Sequence, residues 1–195
     1  MRVYIDESKK IEKWKIIIWW FFTSHNTNFI ENFVKNKKIL FKIPDKAELK
    51  STKKYWKIFI ENISDDNDFD NLDIYTFGFK FENYFIESSE WYINLVLELL
   101  ISVLNQIEIK KWDKINLFHD NINAKNNNKI ERQIDRVLNE QFWIKSNFKI
   151  HNSKKYLGLQ LADLIVSKYK EFYLFDDIYN LEDFILKKDF KNKKT

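Results

Sequence analysis

One acid lies in the middle of Leu157 to Ile165, the most apolar stretch of the carboxyl-terminal half. At 3.6 residues per helical turn, Asp163 shares a narrow polar stripe with Gln160, Ser167 and Lys170. An ionised carboxylate in such surroundings requires a partner, a hydrogen-bond network or a metal ion, because desolvating it alone is costly. The stripe is therefore either part of a site or the ordinary polar face of an amphipathic helix.

A second acidic group lies at the other end of the chain. Arg2 to Ser8 reads as a short first strand that ends in acids. Because side chains alternate along a strand, Val3 and Ile5 are expected on one face, and Tyr4 and Asp6 on the other. The sequence therefore predicts that Asp6 shares a face with an aromatic residue.

These segments belong to a set of four short motifs. They are Asp-Glu-Ser at the end of an opening strand, Glu-Leu-Lys in the middle, a strand-end aspartate, and a closing serine followed by Leu-Gln-Leu-Ala-Asp-Leu-Ile. The matching residues are Asp6–Ser8, Glu48–Lys50, Asp120, and Ser153 with Leu159–Ile165. Together they resemble the prokaryotic domain of unknown function 3800 family, which is regarded as ribonuclease H-like. The likeness extends from residue 2 to about residue 169, and its closing motif is the specific one.

The resemblance implies an α/β fold, a ribonuclease H-like mixed β-sheet flanked by helices, with nucleic acid as the partner. Hydrolysis of a phosphodiester needs an activated water and a neutralised leaving oxygen, which two divalent ions about 4 Å apart can supply. Mg²⁺ or Mn²⁺ would take oxygen ligands, so several carboxylates must converge. The candidates, as both catalytic residues and metal ligands, are Asp6, Glu48, Asp120 and Asp163.

Two further residues are candidates for substrate binding. Lys50 is placed to hold a phosphate or orient an acid, and Ser153 to orient a ligand. Each acid also has a structural alternative. Asp6 with Glu7 begins a turn, Glu48 forms a surface ion pair with Lys50, and Asp120 takes part in turn chemistry.

The chain departs from the family pattern in two places. Lys9 stands where a glycine usually follows Asp-Glu-Ser, and Val166 and Ser167 replace the small residues that usually end the closing motif. Neither change removes an acid. The first affects how closely a backbone can approach bound metal ions.

Three functions remain open on the sequence. The first is a metal-dependent nuclease that uses two ions and carboxylates. The second is a non-catalytic module on the same scaffold that binds nucleic acid or protein. The third is an interaction subunit of a defence or mobile-element system. Divalent-ion-dependent cleavage separates the first from the others, and salt-dependent nucleic-acid binding separates the second from the third.

The composition predicts a single ribonuclease H-like domain over residues 1–186 and a basic tail over 187–195. Apolar residues make up 45% of the 195 residues and aromatics 17%, which suffices for a full core. There is no cysteine, so disulfides and thiolate metal sites are excluded, and the three histidines lack zinc-site spacing.

The charge distribution argues against a globally basic surface. The chain has a formal net charge of +4, and the tail, with five lysines and one aspartate, carries all of it. Residues 1–186 are neutral overall, so a nucleic-acid groove would require local clustering of cations. The longest unbroken apolar run, Ile16 to Phe22, has seven residues, whereas a membrane helix needs about 20. With no visible signal peptide, a cytoplasmic location and no membrane partner are expected.

The remaining pattern predicts alternating strands and helices after an opening hairpin-like pair. Lys9–Lys13 is the expected turn, and Thr27 or Ser24 is expected to cap a short helix whose apolar side carries Phe29, Ile30, Phe33 and Val34. Ile39–Ile43 is expected to be a strand or an extended connector, and Asn128–Phe142 a helix whose core stripe is Ile130, Ile134, Val137 and Leu138. Phe148–His151 is the last expected strand, and Glu171–Leu186 a further helical addition. Asp66, Asp68 and Asp70 have the spacing of a calcium loop, but Asn71 replaces its turn glycine and Phe77 its final glutamate. Calcium binding there is rejected.

Overall fold

Strands and helices alternate along the part of the chain that the computed structural model describes. That part comprises residues 1–12, 15–25, 27–50, 54–63, 74–82, 93, 96–97, 100–101, 104, 114–120, 127–172 and 186–187. Its strands are β1 (Arg2–Glu12), β2 (Lys15–His25), β3 (Ile74–Glu82), β4 (Lys114–Asp120), β5 (Lys145–His151) and β6 (Leu186–Lys187). Its bounded helices are α1 (Thr27–Leu40), α2 (Lys54–Ile63), α3 (Asn127–Phe142) and α4 (Leu157–Phe172), with a 3₁₀ turn over Ser153–Lys155.

The six strands form one mixed sheet in the order β5-β4-β1-β2-β3-β6. β1 pairs in parallel with β4, and β4 with β5, whereas β1, β2, β3 and β6 pair antiparallel in turn. The predicted mixed α/β class is thereby confirmed. Parallel strands need long crossover connections, and α3 lies in the one between β4 and β5.

Helices cover both faces of the parallel part of the sheet, so β1 is buried on both sides. On one face, Val3 and Ile5 join a core cluster that α3 supplies with Ile130, Ile134 and Leu138. The described helical residues between β3 and β4 enlarge this cluster with Ile93, Val96, Leu97, Leu100 and Leu104. On the other face, Tyr4 and Phe118 meet side chains of α1, α2 and α4. The predicted alternation along β1 is therefore confirmed.

The opening strand is longer than the sequence suggested. Lys9–Lys13 was expected to be a turn, but β1 continues to Glu12 and pairs with β2 from Arg2↔His25 to Glu12↔Lys15. The expectation was wrong because no Gly or Asn marks a turn there, and the hairpin partner supplies hydrogen bonds along the whole strand. Asp6 therefore lies within β1 rather than at its end.

The first helix also extends further than predicted. Ile39–Ile43 was expected to be a strand or extended connector, yet α1 continues to Leu40. A Schellman motif ends it: the Ile43 N–H donates to the Lys38 carbonyl at 2.8 Å, and the Lys42 N–H to Ile39 at 3.1 Å. Lys42 takes the left-handed position with φ 56°, where glycine is usual. Because lysine rather than glycine occupies this position, no signal in the sequence marks the end of the helix.

Other local expectations need correction. Ser24, a proposed helix cap, lies in β2, and Phe29, expected to face inward, is 42% exposed. β5 begins at Lys145 and is followed by β6, so Phe148–His151 is not the last strand. Leu186 belongs to β6, where it pairs with Thr76 rather than ending a helix.

Some expectations fall outside the described residues. They include the acidic loop over 64–71, most of the Glu171–Leu186 segment, and the tail beyond Lys187. Among the described residues, no helix combines the length and the apolar character that crossing a membrane would require.

Candidate functional site

The parallel pairing of β1 and β4 brings two of the predicted acids to neighbouring positions. The paired register of the two strands includes Tyr4↔Phe118 and ends at Ile5↔His119, and the next residue along each strand is Asp6 and Asp120, respectively. Tyr4 and Phe118 stack with ring centroids 5.2 Å apart, and residues two further along share that face. Adjacent strands lie about 4.8 Å apart. Asp6, at 6% exposure, and Asp120 therefore flank each other on the face that α4 covers.

Asp120 is held by two different groups. Its Oδ1 accepts a hydrogen bond of 2.9 Å from the backbone N–H of Ser153. Its Oδ2 lies 4.0 Å from the Nζ of Lys50. The hydrogen bond from Ser153 orients the carboxylate. The lysine side chain is 39% exposed, so its ion pair with Asp120 is weak and partly solvated. Lys50 thus pairs with Asp120.

Ser153 contributes to the site through its backbone. The residue is buried, and its N–H and C=O are both used: the N–H by Asp120 and the carbonyl by the side chain of Gln160 at 3.1 Å. The 3₁₀ turn that begins here is capped by the Asn152 side chain, which accepts from the Lys154 N–H at 2.9 Å. This turn sets the Ser153 N–H toward β4.

Glu48 lies on an irregular segment, residues 47–50, that is tied to both α1 and α4. On one side, the Nζ of Lys38 donates to the carbonyls of Asp45 and Ala47 at 3.1 and 2.7 Å. On the other, the Leu49 N–H donates to Gln160 Oε1 at 3.0 Å. The Oε1 of Glu48 is buried and has no hydrogen-bond partner within the described part of the chain. Such an oxygen lacks compensation for its lost hydration.

Gln160 is a site residue that sequence reasoning placed only on a polar stripe. It is 3% exposed and bridges two predicted motifs, because it accepts from Leu49 and donates to Ser153. The available signal was its position in the most apolar helix, since a buried amide needs several partners. The Gln160 side chain therefore faces the Glu48 segment and the 3₁₀ turn rather than solvent.

Asp163 lies on α4, one turn after Gln160, and is half-buried between Ala162 and Leu164, which are both fully buried. Because residues three apart share a helix face, Asp163 is on the side of α4 that carries Gln160. Leu159, Leu161 and Leu164 pack into the core on the same sheet face as Tyr4 and Phe118. The structure thus places Asp163 on the helix that covers the Asp6–Asp120 face.

The donors in this region suit a hard divalent cation. All four candidate acids supply carboxylate oxygens, which Mg²⁺ prefers, and the buried Glu48 oxygen lacks a protein donor. As the side chains stand in the described part of the chain, no three acidic or histidine side chains lie close enough to hold a metal ion together. The neighbouring pair Asp6 and Asp120 is the part of the predicted set that the strand register brings together.

An aromatic group that sequence reasoning missed borders the acids. His151 is the last residue of β5 and pairs with Asp120 in register. Its ring stacks on Tyr156 at 4.5 Å between centroids and on Phe118 at 5.8 Å. Burial lowers the pKa of His151 below its ordinary value. His119, by contrast, is fully buried, packs near Phe148 on the opposite face, and has Nδ1 2.7 Å from the Asp120 carbonyl.

Comparisons with known proteins leave the chain without an assigned family. No protein-family model and no curated protein matches it. Among solved structures, a chain of the PCNA:RNase HII complex from Archaeoglobus fulgidus aligns with a TM-score of 0.47 and 12% sequence identity. The alignment covers 88% of this chain and 73% of that one.

Proposed function

We propose that the chain is a ribonuclease H-like, metal-dependent nuclease that hydrolyses phosphodiester bonds. The observation that supports the proposal is the parallel register of β1 and β4, which ends at Ile5↔His119, one residue before Asp6 and Asp120, on the sheet face that the Asp163 helix covers. Neighbouring carboxylates on a largely apolar face are costly without a cation between them. Asp6, Glu48, Asp120 and Asp163 are the proposed ligands of Mg²⁺ or Mn²⁺.

The residues have separable roles in this proposal. A bound divalent ion would supply an activated water and charge neutralisation at the leaving oxygen. Asp6 and Asp120 would offer neighbouring oxygens to the ion, and the Ser153 N–H orients the Asp120 carboxylate. The partly exposed ammonium of Lys50, close to Asp120 Oδ2, is placed to contact a phosphate of the substrate.

A second candidate function is a non-catalytic module that binds nucleic acid or protein on the same scaffold. The ion pair between Lys50 and Asp120 favours it, because the lysine already provides one acid with a cation. In that case the acids serve the structure, and nucleic-acid binding would weaken with added salt without any cleavage.

The test is incubation with labelled single- and double-stranded DNA and RNA and an RNA–DNA hybrid, in millimolar Mg²⁺ or Mn²⁺. We expect metal-dependent cleavage of at least one substrate, and its loss in Asp6→Asn. Glu140→Gln, an exposed acid on α3, is the matched control and should cleave as the wild type does. Wild-type cleavage by Asp6→Asn, or no cleavage of any substrate, would contradict the proposal.

A further inference from the structure

The segment that carries Glu48 belongs to no strand or helix. Residues 47–50 have irregular backbone, so no ladder of backbone hydrogen bonds fixes where Glu48 lies. Only a local turn precedes it, closed by the Ala47 N–H donating to the Pro44 carbonyl at 2.9 Å. A residue meant to ligate a cation must nevertheless be held in place before the cation arrives. Side chains from other elements must therefore fix this segment.

Lys38 fixes the amino-terminal side of Glu48. Its side chain is buried, the residue being 2% exposed, and its Nζ donates to two carbonyls of the turn, those of Asp45 and Ala47. Burial of an ammonium is costly unless its donors are used. Burial also lowers the pKa of Lys38, with the Asp45 carboxylate opposing that shift. Because its Nζ donates to these backbone carbonyls, Lys38 holds the turn before Glu48 in place.

Gln160 fixes the carboxyl-terminal side of the same residue. Its amide oxygen accepts from the Leu49 N–H at 3.0 Å, and its amide nitrogen donates to the Ser153 carbonyl at 3.1 Å. The Ser153 N–H in turn donates to Asp120. Three hydrogen bonds, which run through Gln160 and Ser153, thus connect the Glu48 segment to Asp120 at the end of β4.

We propose that Lys38 and Gln160 are positioning residues that clamp the backbone on either side of Glu48 and so preorganise its half-buried carboxylate for a divalent cation. The proposal rests on the proposed function for the cation alone. The clamp itself follows from the two buried side chains and the segment between them. The two side chains fix the position of Glu48, whose buried Oε1 has no hydrogen-bond partner among the described residues.

The first test measures the clamp in the metal-free protein. In Gln160→Met, which keeps the volume but loses both hydrogen bonds, we expect the Leu49 amide to exchange with solvent at least about tenfold faster, as local opening becomes easier. Gln160→Glu retains the acceptor and should keep the Leu49 amide protected. Lys38→Met should speed exchange of the peptide that spans residues 45–49.

The matched controls replace the same residue types, lysine and glutamine, at exposed helix positions. Lys35→Met changes an exposed lysine of α1, and Gln141→Met an exposed glutamine of α3, and neither should alter exchange at Leu49. Circular dichroism checks that each variant folds. If Lys38→Met fails to fold, the two Gln160 variants still decide the result.

The second test measures Mn²⁺ binding to the same variants by titration calorimetry. We expect the dissociation constant for Mn²⁺ to rise about 10- to 100-fold in Gln160→Met and Lys38→Met, as it does when partners that orient ligands are removed. Unchanged Leu49 exchange in Gln160→Met overturns the clamp whether or not the protein cleaves nucleic acid. Faster exchange with unchanged Mn²⁺ affinity overturns the positioning role. A wild type that binds no Mn²⁺ overturns the proposed function separately.

Discussion

At the scale of single residues, the carboxylates differ in their burial and in their hydrogen-bond and ion-pair partners. Asp120 has a backbone donor and a lysine near its two oxygens, whereas the Oε1 of Glu48 is buried without a partner. Asp163 is half-buried on a helix whose neighbouring residues are fully buried. Each carboxylate therefore responds differently when its charge is removed.

Asp163→Asn tests whether Asp163 ligates a cation. Asparagine keeps the shape but removes the charge, so cleavage should fall by more than about 100-fold, the upper end of the loss for a partner outside the ligand shell. The metal-free protein should melt at the wild-type temperature or higher, because a charge is removed from a largely apolar helix face. Cleavage assays and metal-free melts measure the two effects.

If Asp163 instead forms a structural ion pair, the Asp163→Asn substitution should destabilise the metal-free protein. Loss of the pair would leave a buried cation and cost about 3–5 kcal/mol of unfolding free energy. Lys50, a lysine that could supply such a cation, lies near Asp120 in the structure. Marked destabilisation of metal-free Asp163→Asn would therefore count against ligation.

His151 should make stability fall as the solution is acidified. Burial is the main cause that lowers its pKa in the folded chain below the ordinary 6.5, and Glu131 opposes the shift. Above the unfolded pKa, His151 is neutral in both states. As the pH falls toward the lower folded pKa, the unfolded chain binds a proton that the folded chain does not, and stability is lost.

His151→Phe removes this effect while keeping a ring on Tyr156. The stability that the wild type loses between about pH 7 and pH 5 should therefore exceed the loss in His151→Phe. Thermal melts across that range measure the difference, and NMR titration of the imidazole reports the pKa directly. An imidazole that titrates at or above 6.5 would refute the assignment.

At the scale of elements, the crossing of α4 over β1 depends on one glycine. A Cβ placed on Gly158 would lie 2.5 Å from Cε1 and Cζ of Tyr4. The Tyr4 ring is 1% exposed and stacked on Phe118, so it has little room to move. Close approach of α4 to β1 therefore requires the absence of a side chain at position 158.

Gly158→Ala should destabilise the protein despite the better helix propensity of alanine. Overpacking costs about 1–3 kcal/mol, against about 1 kcal/mol gained from propensity, so a net loss of unfolding free energy is expected in urea titrations. Ser167→Ala on the same helix is the control. In a Tyr4→Leu background the cost should shrink, because the clashing ring is gone; an undiminished cost would refute the contact.

At the scale of the whole molecule, bound metal should stabilise the folded chain. The acids belong to β1, β4, α4 and the segment between α1 and α2, so a cation that binds them links parts distant in sequence. A ligand that binds only the native state adds about 2.7 kcal/mol at 100 times its dissociation constant. We therefore expect millimolar Mg²⁺ or Mn²⁺ to raise the melting temperature.

The controls for this effect are chelation and charge removal. EDTA should return the melting temperature to the metal-free value, and Asp6→Asn should abolish most of the increase. No shift in the wild type with either ion would argue for a scaffold without a metal site.

The sequence by itself determined the features that depend on local periodicity. The alternation of Val3 and Ile5 with Tyr4 and Asp6 predicted the two faces of β1, and the spacing of Ile130 and Ile134 predicted the buried stripe of α3. Such patterns are readable because the geometry of one strand or helix fixes which residues share a face.

Only the tertiary structure decided which strand adjoins β1 and what the buried polar groups contact. The length of β1 depends on pairing with β2, and the adjacency of Asp6 and Asp120 depends on pairing with β4, more than 100 residues away. The bonds made by Gln160 and Lys38 likewise join distant or irregular segments. These contacts are set by packing and strand register, which no local pattern in one sequence encodes.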